Sequence, residues 1–128
     1  GDDWEGHTAV RVYGAVLDHD AEDAAGQHLG ACVVMEWLPW TLAGVLGNEE
    51  KHKEFCRDWS RRMGVLASVA AALARMHHGR PQPLVHRDVK SANVLLDEGC
   101  RHAVLGDFGL ALAVQRPPDG GASGGAGA

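Results

Sequence analysis

The stretch LVHRDVKSANVLLDEG, residues 84–99, constrains this chain more than any other. Positions 86–93 hold a histidine, an arginine, an aspartate, a lysine and an asparagine, after which the chain turns apolar. Ionisable groups crowd ahead of a buried strand where a rigid element must present them for chemistry. The segment NVLLDEGCRHAVLGDFG (93–109) reads as two short strands around a turn at Asp97–Gly99. Asn93 and Asp107 lie symmetrically about residue 100. If the strands pair there, the two Cα atoms come within about 5 Å. An amide oxygen and a carboxylate then converge, a pair of hard donors suited to Mg²⁺ alongside phosphate oxygens and water. Asp88 lies on the loop feeding the same end, and Lys90 adds a cation where a transferred phosphoryl group needs its charge stabilised.

The rest of the chain supplies a scaffold. TAVRVYGAVL (8–17) reads as a strand with a turn near Gly14, and DHDAEDAAGQHLG (18–30) as an acidic surface loop. CVVM (32–35) reads as a buried strand that stops at Pro39, and Thr41 caps a short helix ended by Gly47. NEEKHKEFCR (48–57) reads as charged and solvated. The clearest helix spans 58–78, capped by Asp58 or Ser60 and ended by Gly79 and Pro81. Trp59, Met63, Leu66, Ala70, Leu73 and His77 recur on it at spacings of four and three, which predicts its core stripe. The tail RPPDGGASGGAGA has no hydrophobic side chain larger than alanine and reads as disordered.

Composition removes several classes. The formal net charge is −5, so bulk electrostatics do not draw the chain to nucleic acid or an anionic membrane. No apolar run approaches the roughly 20 residues of a membrane span. Cys32, Cys56 and Cys100 form no CxxC pair and read as free thiols, and no histidine has a partner at zinc-ligand spacing. A length of 128 residues allows one domain or part of one.

HRDVKSAN at 86–93 followed by DFG at 107–109 resembles the catalytic loop and magnesium-binding motif of eukaryotic-type protein kinases. Several further segments carry the likeness. VVMEWLP (33–39) is similar to the end of the fifth strand and the hinge of that family, and GHTAVRVYGAVLD (6–18) to the segment entering its fourth strand. The resemblance implies an α+β, protein-kinase-like fold, present in part. Residues 1–117 would be a partial kinase domain: 1–35 the end of the N-terminal β lobe, 36–40 the hinge, 41–117 the start of the helical lobe to the early activation segment. Residues 118–128 would be the Gly/Ala-rich tail.

By the same resemblance, Asp88 is the base that orients and deprotonates the substrate hydroxyl, and Lys90 contacts the γ-phosphate. Lys90 also favours the serine/threonine type, in a tyrosine-kinase-like or plant and algal branch. Asn93 and Asp107 are magnesium ligands, and Arg87 pairs with a phosphorylated residue. His86 and Phe108 form a structural stack. Met35 is the gatekeeper, the backbone of Glu36 and Leu38 bonds adenine, and Leu95 is the apolar floor beneath it. The implied cofactors are ATP and Mg²⁺, and the implied partner is a protein bearing a Ser or Thr hydroxyl. The implied location is the cytoplasm, or the cytoplasmic face of a membrane if an anchor lies upstream. Trp37 and Trp40 read as packing at the hinge edge.

Parts of the family pattern are not found in these residues. The lysines are Lys51, Lys53 and Lys90, none of them placed to be the third-strand lysine, and neither a glycine-rich loop nor an APE motif occurs. The expectation is that these 128 residues alone are inactive and poorly folded. The competing reading is a truncated, non-catalytic kinase-like scaffold. The aminoglycoside-phosphotransferase branch is disfavoured, because Arg87, Lys90 and Phe108-Gly109 are all present.

Overall fold

The computed structural model describes residues 8–17, 22, 24–27, 31–79 and 81–115; the tail and most of the 18–30 loop lie outside them. Val12–Leu17 (β1) and Ala31–Met35 (β2) form an antiparallel ribbon. The break expected near Gly14 is not a turn. The strand runs through it, and the register slips between Val12 and Gly14, a bulge that bends the ribbon. The buried strand expected at 32–35 is also corrected. Val33, Val34 and Met35 are all about half exposed, because two strands alone cannot cover both faces of a ribbon.

A short strand, Trp40–Thr41 (β3), leads into Leu42–Gly47 (α1), where the Thr41 hydroxyl accepts the Gly44 N–H at 3.0 Å as expected. Residues expected to be merely solvated form a helix, Glu49–Arg57 (α2). Its signals are local. The Asn48 side chain accepts the Lys51 N–H, Glu49 and Glu50 fill the first turn, and Lys53 reaches back to Glu49 at 2.6 Å. Phe55 is its buried contact. Asp58 then caps Trp59–His78 (α3), accepting the Arg61 N–H at 3.1 Å. Arg61 also bonds Glu54 at 2.7 Å, tying α2 to α3 and holding the Glu54 carboxyl below its usual range.

The face of α3 differs from expectation. Val65, Ala72 and Met76 are buried with Val69 and Leu73 packed beside them, whereas Trp59 is 65% and Leu66 60% exposed. The buried stripe lies one residue, or about 100°, around the helix from the expected one. Both stripes are apolar, so periodicity located the helix without choosing its inner side.

Leu84–Val85 (β4) is followed by a 3₁₀ turn at Ser91–Asn93, then Val94–Leu96 (β5), Ala103–Leu105 (β6) and Leu112–Ala113 (β7). β3, β5 and β6 form one antiparallel sheet, and β4 pairs with β7. β6 lies on α3, and Leu96 and Leu105 are wholly buried between sheet and helices. Thr8–Val10 runs along β6, with Val10 N–H to Leu105 O at 3.1 Å and Leu105 N–H to Thr8 O at 3.2 Å. That contact joins the β1–β2 ribbon to the rest.

α3 approaches the hairpin closely at Gly64, where a Cβ would stand 2.8 Å from the Arg101 carbonyl oxygen. Gly64→Ala is expected to destabilise the fold by about 1–3 kcal/mol despite alanine's higher helix propensity. Gly47→Ala, with open space at its Cβ, serves as the neutral control. Thermal unfolding of both variants checks this.

Cys100 is buried at the same turn, and burial pushes its thiol above the ordinary 9.0, with Lys51 partly opposing. The fold favours the protonated thiol. Its contribution is therefore intact below the ordinary value and lost as pH rises through the folded one. Stability should fall more steeply above the ordinary thiol range in the native chain than in Cys100→Ala. Iodoacetamide should label the exposed Cys56 well before Cys100.

Candidate active site

The loop between β4 and β5 gathers three of the expected residues on one carboxylate. Lys90 enters the 3₁₀ turn, and its carbonyl accepts the Asn93 N–H at 2.9 Å. That turn buries Asn93 and aims its amide at Asp88. Asn93 Nδ2 donates to the Asp88 carbonyl at 2.9 Å and to Asp88 Oδ2 at 3.1 Å. Lys90 Nζ stands 3.3 Å from the same Oδ2. The ammonium is more than half exposed, so the pair is weak and leaves the lysine able to swing toward another anion.

His86 is 1% exposed and uses both ring nitrogens. Nδ1 lies 3.2 Å from the Asp88 N–H, and Nε2 lies 2.8 Å from the Gly106 carbonyl. Since an N–H only donates and a carbonyl only accepts, the ring is the tautomer protonated on Nε2. It links the Asp88 loop to the end of β6. Its edge meets the Phe108 ring at 5.1 Å, the expected stack. Arg87, at φ 68°, donates Nε to the Leu110 carbonyl at 2.5 Å.

Asp107 is displaced from its expected partner. The register pairs Val94 with Leu105, so Asn93 faces Gly106, whose N–H reaches the Asn93 carbonyl at 2.9 Å. Asp107 lies one residue beyond, exposed, at φ 54°, with Oδ1 accepting the Gly109 N–H at 3.2 Å. The cause is the length of the turn. Six residues, 97–102, separate the paired strands and put the centre between 99 and 100. Asp97 closes this turn through its carboxylate, which accepts the N–H groups of Arg101 and His102 at 2.8 and 2.9 Å. Both backbone groups of Gly106 are bonded, its N–H to Asn93 and its carbonyl to His86, so the strand end is held closed. A Cβ there would meet Leu95 Cδ1 at 3.1 Å.

The residues expected to hold adenine are split by exposure. Leu38 is buried, Leu95 and Glu36 are half-buried, and Met35 is about half exposed rather than a core side chain. Trp37 is 86% exposed, so it does not pack at the hinge edge; Trp40 does, beneath the Lys51 ammonium at 4.6 Å. Glu36 pairs with Arg11, a partner the sequence reading missed. A cavity of about 500 Å³ lies behind Phe108, lined by Thr8, Ala9, Ala72, Met76 and Leu84 among others, and none of the adenine candidates borders it. Among the described residues, no three His, Cys, Asp or Glu side chains cluster as a metal site, and no helix is long and apolar enough to cross a membrane.

The family model described as protein kinase domain matches residues 10–123. An Arabidopsis thaliana protein named as L-type lectin-domain containing receptor kinase S.7 is 40% identical over 80 residues, covering 62% of this chain and 12% of its own length. MDIS1-interacting receptor like kinase 2 of the same plant is 44% identical over 71 residues, 56% of this chain and 6% of its own. L-type lectin-domain containing receptor kinase V.9 is 50% identical over 54 residues, 42% of this chain and 8% of its own. The chain therefore spans about an eighth or less of these relatives. With a match across most of its length and the Asp88–Lys90–Asn93 cluster at its centre, the chain belongs to the protein kinase domain family, as a partial α+β kinase fold.

Proposed function

We propose that the protein carrying this chain transfers the γ-phosphoryl group of ATP to serine or threonine hydroxyls of a protein substrate. The observation that carries this reading is the shared Asp88 Oδ2, held by Asn93 Nδ2 at 3.1 Å and Lys90 Nζ at 3.3 Å. A carboxylate so fixed can orient a hydroxyl and accept its proton, while the partly exposed lysine meets phosphate charge.

Asn93 and Asp107 are the candidate magnesium ligands. The Asn93 amide commits its nitrogen to Asp88, which leaves Oδ1 as its free donor. Asp107 commits Oδ1 to Gly109, which leaves Oδ2. An amide oxygen and a carboxylate oxygen fit Mg²⁺, and the ion supplies positive charge to phosphate oxygens when bound. Met35 and Leu95 supply apolar surface for adenine, and Glu36 and Leu38 supply backbone groups. In these residues adenine has one apolar wall. Losing about 100 Å² of burial on the other side costs about 2.5 kcal/mol, so residues 1–128 alone are proposed to be inactive. The receptor-kinase names of the relatives support a location in the cytoplasm or on the cytoplasmic face of a membrane.

The test is a radiolabelled ATP assay on the full-length protein with serine, threonine and tyrosine peptides. Magnesium-dependent label on serine or threonine, lost with EDTA, is the expected result; label on tyrosine alone would overturn the assignment. The second reading, a scaffold that binds partners without catalysis, is favoured by the exposed Trp59–Leu66 stripe of α3. Absence of any transfer by the full-length protein would select it.

A further inference from the structure

The side of α3 turned away from β6 is apolar and uncharged along most of its length. Trp59, Met63, Leu66, Ala67, Ala70 and Ala74 are all exposed. At helical spacing they fall within about 100° of arc, a single stripe. The two arginines of this stretch are turned aside. Arg61 is held by Glu54 and Asp58, and Arg62 lies over the Trp59 ring at 5.0 Å. A partner presenting charge to this stripe would bury that charge unpaired, so the stripe fits an apolar surface.

Its side chains are ordered by size. Trp59, Met63 and Leu66 fill the first half, and Ala67, Ala70 and Ala74 the second. Positions 66 and 67, 63 and 70, and 59 and 74 lie at equal distances from the midpoint. Two copies laid antiparallel about that midpoint set Leu66 against Ala67, Met63 against Ala70 and Trp59 against Ala74. A large side chain then meets a small one at every level, which lets the surfaces interdigitate. Parallel copies would set large on large and small on small. The antiparallel order also places the positive N-terminal end of each helix beside the negative C-terminal end of the other.

We propose that this stripe is the contact face of a symmetric antiparallel dimer, its occupant a second copy of the same protein. A two-fold interface requires one patch that complements itself, and the order of sizes supplies it. The stripe runs about 24 Å, and a helix about 10 Å wide gives a footprint of about 240 Å² per copy. A stable interface takes about 800 Å² per partner, so this dimer is weak and reversible. It needs no phosphoryl transfer and forms under either reading of the function.

Sedimentation equilibrium of the full-length protein, up to about 1 mM, tests this, with a dimer Kd of roughly 100 μM expected. Ala70→Glu sets a charge in the seam and should weaken the dimer at least about tenfold. Met63→Ala and Ala70→Met each spoil a size match and should weaken it about threefold to tenfold. The double variant exchanges large for small and should return to within about twofold of the native protein. A native protein that stays monomeric overturns the dimer. A dimer indifferent to Ala70→Glu uses another face, which overturns this one. Weakening by both single changes without recovery in the double variant overturns the antiparallel pairing, and the proposal with it. If Ala70→Glu lowers the thermal midpoint by more than about 5 °C, the stripe is packed within the protein and the proposal fails.

Discussion

Asp88→Asn in the full-length protein is expected to lower phosphoryl transfer by about 10²–10⁴-fold, with nucleotide affinity changed by no more than about twofold. The side chain is nearly isosteric, and the two main-chain contacts of residue 88, to His86 Nδ1 and from Asn93 Nδ2, do not involve the carboxylate. The amide oxygen can still face Asn93 and Lys90 in place of Oδ2. What is lost is the basicity that accepts the hydroxyl proton. Single-turnover transfer and equilibrium ATP binding separate these effects. A variant that lost ATP binding and transfer together would place Asp88 in nucleotide recognition instead.

Leu105→Ala is expected to cost about 2–5 kcal/mol of stability. The side chain is wholly buried against α3, and the same residue bonds Thr8 and Val10 on one edge and pairs with Val94 on the other. A cavity here loosens the bridge that holds the Thr8–Val10 segment to the sheet. Domains of this size are stable by about 5–15 kcal/mol, so a large share of the total would go. Urea unfolding should show a lower midpoint. Leu110→Ala, at an exposed position, should move it by less than about 0.5 kcal/mol.

Much of the site was legible in the sequence because it is local. Asp88, Lys90 and Asn93 are within six positions, and the turn that gathers them needs no distant partner. Caps at Thr41 and Asp58 were readable for the same reason. Errors came where a distant surface decides. α3 carries two apolar stripes, and the face that touches β6 is chosen by the close approach at Gly64, which periodicity does not report. α2 was hidden because its residues are charged and only Phe55 is buried. The Asn93–Asp107 pairing failed by one residue, since an even-numbered turn fastened by Asp97 shifts the centre of the hairpin. Glu36 was assigned for its backbone alone, and nothing in the sequence marks a side chain that enters a ladder.

Arg87 and Asp107 are both held in left-handed backbone conformations, one on each side of His86's two bonds. For side chains other than glycine this conformation costs about 1–2 kcal/mol per residue. Glycine at either place would therefore relieve the main chain, and at 107 it would also delete a proposed magnesium ligand. A selection for heat resistance alone would drift toward glycine at 107 and return a sturdier protein that has lost its catalysis, so any such selection must be coupled to a turnover assay.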